Sequence, residues 1–326
     1  MSASNNYISK VAIVGAGGNS GRYMTEALLA TGKHTVTALT RPGSTSSLPA
    51  GVTTVTIDHK DKDGLVAALR GQDALIITLA VGAGDDVHSA FVEAAAAAGV
   101  PWVLPNEFTP DLNIDAGLGE DVPAFAPQPK QREYIASLGK SSFIAVSTGF
   151  WYEWSLSMPR AFGFDFSQRK VIFYDDGETK MSLSTWPQVG RAVASLLSLP
   201  VASDGSPSLN DYRNKNVFIN SFTVTQKDIF ESVLRVTGDK REDWTVEYTP
   251  SNEMFKQGGE LVKTGDMSGF VLQIYSRVFY PARELGNAEK NNGVINTALK
   301  LKHEDLDLAT RAGIKRAQEV KPFGSA

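Results

Sequence analysis

Short apolar runs alternate with amphipathic stretches along the first 150 residues. Val11-Ala12-Ile13-Val14 has no polar break, the pattern of a strand buried on both faces of a parallel sheet. The glycine-rich stretch 15–21 follows it, and residues 23–31 read as a helix stopped by Gly32. Residues 35–40, 53–57 and 74–79 read as further strands, with a short helix over 64–69 before the last of them. A helix over 85–98, ending at Gly99, and a fifth strand over 102–104 complete the series. The run of five alanines from Ala94 is read as close helix packing, since alanine is the best helix former. Strand and helix alternate roughly every 20–30 residues, which predicts right-handed crossovers and an α/β fold with a doubly wound parallel sheet.

After Leu104 the rhythm breaks. Residues 105–129 contain five prolines (105, 110, 123, 127 and 129) and little periodicity, so they are expected to form a long irregular segment of the kind that carries function. Pro129 suits the first turn of a helix running to about residue 138, and residues 142–146 return as a sixth strand. Residues 171–174 and 217–219 read as strands, and 188–199, 226–236 and 252–262 as helices. The charged tail after Lys302 shows no clear pattern. These features predict a nucleotide-binding domain over residues 1–150 and a smaller α+β substrate lobe over 151–326. Residues 187–200 are expected to pack back on the first domain.

Composition narrows the function classes. The 326 residues are 42% hydrophobic and 21% charged, an ordinary globular mixture. Lysine plus arginine total 32 against 36 acids, a net charge of −4, so the chain lacks the basic footprint of a nucleic-acid binder. There is no cysteine, which removes disulfides and thiol nucleophiles. The four histidines show no metal-ligand spacing, so no metal is expected. No apolar stretch reaches membrane-spanning length and the first ten residues do not resemble a signal peptide. The chain is read as a soluble cytoplasmic protein, monomeric or homodimeric, acting on a small molecule.

The most informative motif is Gly15-Ala16-Gly17-Gly18-Asn19-Ser20-Gly21, placed between a buried strand and a helix. Glycine permits positive φ and lets backbone approach a diphosphate, and the helix N-terminus then offers free N–H groups to it. Asn19 and Ser20 add side-chain donors. This is the Rossmann pattern in its expected context. An NAD site places a carboxylate after the second strand to hold the ribose 2′-hydroxyl. Here the strand runs into Arg41-Pro42-Gly43-Ser44-Thr45. A guanidinium with neighbouring hydroxyls suits a 2′-phosphate instead, so Arg41, Ser44 and Thr45 predict NADP(H).

Gly15-x-x-Gly18-x-x-Gly21, Arg41 after the second strand, Pro105-Asn106-Glu107-Phe108 after the fifth, and Lys130 opening the next helix together resemble the NmrA-like and isoflavone-reductase-like group, an atypical branch of the short-chain dehydrogenases, in its fungal form. Residues 186–191, Trp-Pro-Gln-Val-Gly-Arg, are also similar to that group. The resemblance implies either an NADPH-dependent reductase of aromatic, phenylpropanoid or polyketide-like substrates, or an NADP-binding regulator. The sequence departs from the group at three points. Ala50 stands where a lysine shares the 2′-phosphate, Tyr134 stands where an arginine follows the lysine (with Arg132 nearby), and Asn106 replaces serine.

The proton donor must differ from the usual tyrosine–lysine pair, because none of the nine tyrosines has a lysine four residues later. Lys130 is the candidate. It sits in a first helical turn, where the helix dipole disfavours a cation and eases proton exchange near neutral pH. Asn106 and Glu107 follow the fifth strand at the edge where such sheets bind ligands, Asn106 to contact cofactor or substrate and Glu107 to act there or to anchor the loop. Ala80 and Val81 are expected beside the cofactor. Phe108, Phe150, Trp151 and Tyr152 are expected to form aromatic walls for a planar substrate. The function that follows is hydride transfer from NADPH to a carbonyl, enone or quinone methide, with Lys130 handling the proton. A redox-sensing regulator acting through a protein partner, and a non-redox lyase or isomerase, remain alternatives.

Overall fold

The computed structural model describes residues 6–80, 83–111, 116–122, 127–280 and 284–320. Its first half alternates strand and helix as the apolar runs predict. In chain order these are β1 (Lys10–Val14), α1 (Asn19–Ala30), β2 (Thr35–Thr40), β3 (Thr53–Thr56), α2 (Lys62–Leu69), β4 (Ala74–Ile77), α3 (Asp85–Ala98) and β5 (Trp102–Leu104). Then come α4 (Ala116–Asp121), α5 (Pro127–Ser137) and β6 (Ser142–Ser147). The helix α1 begins earlier than expected because its first turn is built from the small residues Asn19, Ser20 and Gly21, which carry no apolar signal. The segment expected to be irregular contains α4, whose Leu118 and Val122, just beyond it, are buried in the second core.

The second half comprises β7 (Phe150–Trp151), α6 (Tyr152–Leu156), α7 (Pro159–Phe162), β8 (Phe164–Asp165), β9 (Lys170–Tyr174), β10 (Met181–Ser184) and α8 (Trp186–Leu197). It continues with β11 (Lys215–Phe218), β12 (Phe222–Val224), α9 (Gln226–Thr237), β13 (Thr245–Thr249), α10 (Ser251–Lys263), α11 (Ser268–Val278), α12 (Ala288–Asn291) and α13 (Leu306–Glu319). Helix α13 falls in the tail that shows no apolar pattern. Its buried face is Ala309, Thr310 and Gly313, small residues that periodicity does not register. A Cβ at Gly313 would lie 2.9 Å from the Leu156 side chain, so that face needs to be small.

Seven parallel strands form the main sheet in the order β11-β6-β5-β4-β1-β2-β3. Strand order reverses between β1 and β4, and the crevice beyond their carboxyl ends is where a doubly wound sheet takes a ligand. Two three-stranded sheets, β12-β10-β7 and β13-β9-β8, belong to the second half. The chain crosses between the halves more than once. Residues 215–218, which the sequence reading placed in the substrate lobe, pair with β6 in the main sheet. Helix α8 lies against α1 closely enough that a Cβ at Gly190 would meet the Tyr23 carbonyl at 2.4 Å.

At the junction, Glu153 is buried on α6 and accepts the Trp186 backbone N–H at 3.2 Å, at the start of α8. Burial pushes its carboxyl up to about 7, with Glu304 adding to the effect and the N–H donors and Arg316 opposing it. The folded protein therefore holds this proton at pH values where the unfolded chain, near 4.5, has lost it. The resulting stability is complete below about pH 4.5 and disappears as pH rises through about 7, at most ~3 kcal/mol. Glu153→Gln keeps an acceptor for Trp186 without the ionisation. Thermal denaturation should show a melting temperature several degrees above wild type at pH 8 and one close to wild type at pH 5; equal values at both pH values would remove Glu153 from the pH dependence.

Candidate active site

The site starts where β1 ends. Gly15 has φ +81°, and a Cβ there would stand 2.0 Å from the Thr78 carbonyl oxygen at the exit of β4. Thr78 donates its hydroxyl to the Val14 carbonyl at 2.9 Å, so the two strand exits are bonded side by side. Gly21 is equally constrained, since its Cβ would meet the Gly15 carbonyl at 2.1 Å. The turn closes with Gly18 N–H donating to Gly15 O at 2.9 Å. Helix α1 then begins with no side-chain cap on Gly18 and no acid in its first turn. By contrast, Asp61, Thr185, Thr225 and Asp305 cap α2, α8, α9 and α13 with their side chains. The uncapped N–H groups of Asn19, Ser20 and Gly21 form an open cradle of the kind in which a helix N-terminus accepts an anion.

The loop after β2 lies over this cradle. A Cβ at Gly17 would fall 2.8 Å from the Ser47 carbonyl and 2.9 Å from the Ser46 side chain. Arg41, Ser44 and Thr45 are exposed on the same loop, and Gly43 turns it with φ +72°. Among the described residues Arg41 has no ion-pair partner. The loop that carries Arg41, Ser44 and Thr45 thus passes the glycine turn at Ser46 and Ser47. Ser46 and Ser47 were not anticipated from the sequence, although the serine run that continues from Ser44 was a signal for them.

Ala80 is exposed at the exit of β4, and Val81 lies outside the described residues. Asn106 bonds the backbone of Leu79. Its Oδ1 accepts the Leu79 N–H at 3.0 Å and its Nδ2 donates to the Leu79 carbonyl at 3.2 Å. One bond from each end of the side chain holds Leu79, the residue that leads into Ala80, and the second Nδ2 proton is left for another acceptor.

Glu107 is 1% exposed and bonds Arg132 of α5 through its Oε2, at 2.6 Å to Nε. Gln128, one turn before Arg132, is buried and donates to the Thr109 hydroxyl at 3.1 Å. Lys130 lies between them in the first turn of α5. It is exposed and has no ion-pair partner among the described residues. The i, i+4 spacing of Gln128 and Arg132 was the available signal that these two, and not Lys130, face the sheet.

The aromatic residues do not form one wall. Phe108 is buried in the first core, where its ring has no free face. Tyr152 is wholly buried, its hydroxyl 2.7 Å from that of Thr310 and its ring against Phe162 and Phe222. Phe150 stacks on Tyr275 at 3.9 Å in the second core, whereas Trp151 packs with Trp186, centroids 6.0 Å apart, against the first. The physical reason is that β7 sends consecutive side chains to opposite faces. A groove of about 1070 Å³ between α1, α8 and residues 300–312 holds none of the glycine turn, Arg41 or Lys130.

"Oxidoreductase aprR" of Aspergillus flavus is 28% identical over 264 residues, covering 80% of this chain and 84% of that protein. A solved structure from the pinoresinol-lariciresinol and phenylcoumaran benzylic ether reductases superposes with a TM-score of 0.74 at 20% identity, covering 96% of this chain and 99% of the other. A leucoanthocyanidin reductase–NADPH complex from Vitis vinifera gives 0.74 at 16% identity, covering 94% and 100%. At these identities the structural likeness shows the fold. The sequence pattern of the NmrA-like family matches residues 8–196, more than half of the chain and the whole span from β1 to α8, and the protein belongs to that family.

Proposed function

We propose that the protein is an NADPH-dependent reductase of a small aromatic substrate. The observation that carries this reading is the bare N-terminus of α1 beside the Gly15–Thr78 contact, at the one place where the sheet reverses strand order. The exposed Arg41 loop supports the phosphorylated cofactor over NAD(H). A relative of the chain that is named an oxidoreductase, and a structural neighbour in complex with NADPH, point the same way.

In this reading Gly15, Gly17, Gly18 and the N–H groups of Asn19, Ser20 and Gly21 hold the diphosphate, and Arg41 with Ser44 and Thr45 holds the 2′-phosphate. Bound NADPH supplies a hydride to an electrophilic carbon of a ketone, enone or quinone methide. Asn106 holds the backbone of Leu79, so that Ala80 presents a small side chain where the cofactor passes. Lys130, exposed and free of a carboxylate partner among the described residues, gives its proton to the substrate oxygen as negative charge develops there. No helix among the described residues is long and apolar enough to cross a membrane.

Three measurements test this. NADPH oxidation followed at 340 nm against aromatic ketones, enones and quinones should find at least one acceptor; tight NADP(H) binding with no turnover on any of them would favour a sensor. Arg41→Ala should weaken NADPH binding by roughly tenfold or more while NADH affinity changes little, as expected for the loss of a charge-assisted phosphate contact; an unchanged affinity ratio removes Arg41 from the site. Lys130→Met should bind NADPH as wild type does and lose ~100-fold or more in kcat, the usual range for a general acid. Full turnover by this variant excludes Lys130 from the mechanism.

A further inference from the structure

The loop leaving β5 is tied to its surroundings at successive residues. Its backbone makes two tight turns, Glu107 N–H to Pro105 O and Thr109 N–H to Glu107 O, both at 2.8 Å. Glu107 bonds Arg132, and Asp111 lies 3.8 Å from the same guanidinium. Asp111 also accepts the Asn216 amide of β11 at 2.8 Å, and Asn216 in turn accepts the Ser147 hydroxyl of β6 at 3.0 Å. Thr109 takes the Gln128 amide on its hydroxyl and the Thr148 N–H on its carbonyl. The start of α5 is therefore held to the carboxyl edge of the sheet at two points, Gln128 and Arg132, on one face of the helix.

Two points on one face fix a helix in rotation as well as in place. Lys130, two residues from each, projects roughly 200° around the axis from them. We infer that Glu107 is a positioning residue. Through Arg132 it sets the rotation of α5, and with it the direction in which Lys130 presents its amine to the substrate. The inference rests on the reductase reading above.

The electrostatics make this tie conditional. Among the described residues the charged groups facing Glu107 are Arg132 from α5 and Asp111 from its own loop. Asn216, Ser147, Gln128 and Thr109, which join the network from β11, β6, α5 and the loop, are neutral. Glu107 Oε1 is buried with no partner among the described residues, so the carboxylate is held through one oxygen. Burial pushes the Glu107 carboxyl up to about 7, Arg132 opposes this and Asp111 adds to it. Above that pH the Glu107–Arg132 contact is a full ion pair; below it the carboxyl takes a proton and the attraction weakens. Turnover in the wild type should accordingly rise as pH increases through about 7.

The test uses the full chain with an acceptor that turns over in the panel above. Glu107→Gln should leave the NADPH Kd within twofold, lower kcat at pH 8 at least tenfold, and abolish the rise of kcat near pH 7. Arg132→Lys, which keeps the charge and loses the planar fork, should lower kcat and retain that rise. Wild-type kcat and pH profile in Glu107→Gln, or wild-type kcat in Arg132→Lys, would overturn the inference. Hydrogen exchange at the α5 amides of residues 131–135 reads the tie without turnover. Exchange at least tenfold faster in Glu107→Gln at pH 8 supports it, and unchanged exchange overturns it. If the wild-type protein reduces no acceptor, the reductase reading fails on that result and hydrogen exchange alone decides the tie.

Discussion

The structure depends on one close approach. The exits of β1 and β4 touch at Gly15 and Thr78, and no residue with a side chain fits at the first of these positions. That contact draws the first turn of α1 down onto the sheet edge and leaves its N–H groups without a cap from the chain. Helices α2, α8, α9 and α13 are capped by Asp or Thr side chains, whereas α1, like α11, has neither a side-chain cap nor an acid in its first turn. At α1 that open N-terminus lies at the strand-order reversal, where both the geometry of the sheet and the dipole of the helix favour an anion. The Arg41 loop then lies across Gly17, which adds cationic charge to the same corner.

Around this corner three cores share one chain. The first lies between the main sheet, α1 and α8; the second is built from aromatic residues of α6, α7, β9, α9 and α11; the third lies between the other face of the main sheet and α2, α3 and α5. Strand β7 contributes to the first two, with Phe150 in the second and Trp151 against the first. Polar groups at the seam are held by hydrogen bonds: buried Glu153 by the start of α8, half-buried Asn106 by Leu79, and buried Glu107 by Arg132. Buried carboxylates of this kind add specificity of placement, and their burial makes them responsive near neutral pH.

The main sheet was legible from the sequence because continuous apolar runs such as Val11–Val14 have no other stable use in a chain of this composition. The glycine turn was legible because its spacing follows from the space it must leave open. The aromatic walls were not. Phe108 and Tyr152 are buried in the cores, and for Phe150 and Trp151 which face of a two-residue strand meets which core depends on long-range packing. Lys130 shows the same limit. Its place in a first helical turn could be read locally, whereas the rotation of that turn depends on Glu107 and Thr109, about 20 residues earlier. Helix α13 escaped notice because its buried stripe is alanine, threonine and glycine.

The return of β11 to the main sheet has an evolutionary consequence. A lobe that recognises the substrate is easily exchanged between relatives when a single linker joins it to the cofactor domain. Here α8, β11 and residues near Leu299 all re-enter the first core after the chain has left it. Recombination at one breakpoint would separate strands that must pair, so new specificity in this lineage is expected to arise by point substitution along the seam and not by shuffling of modules.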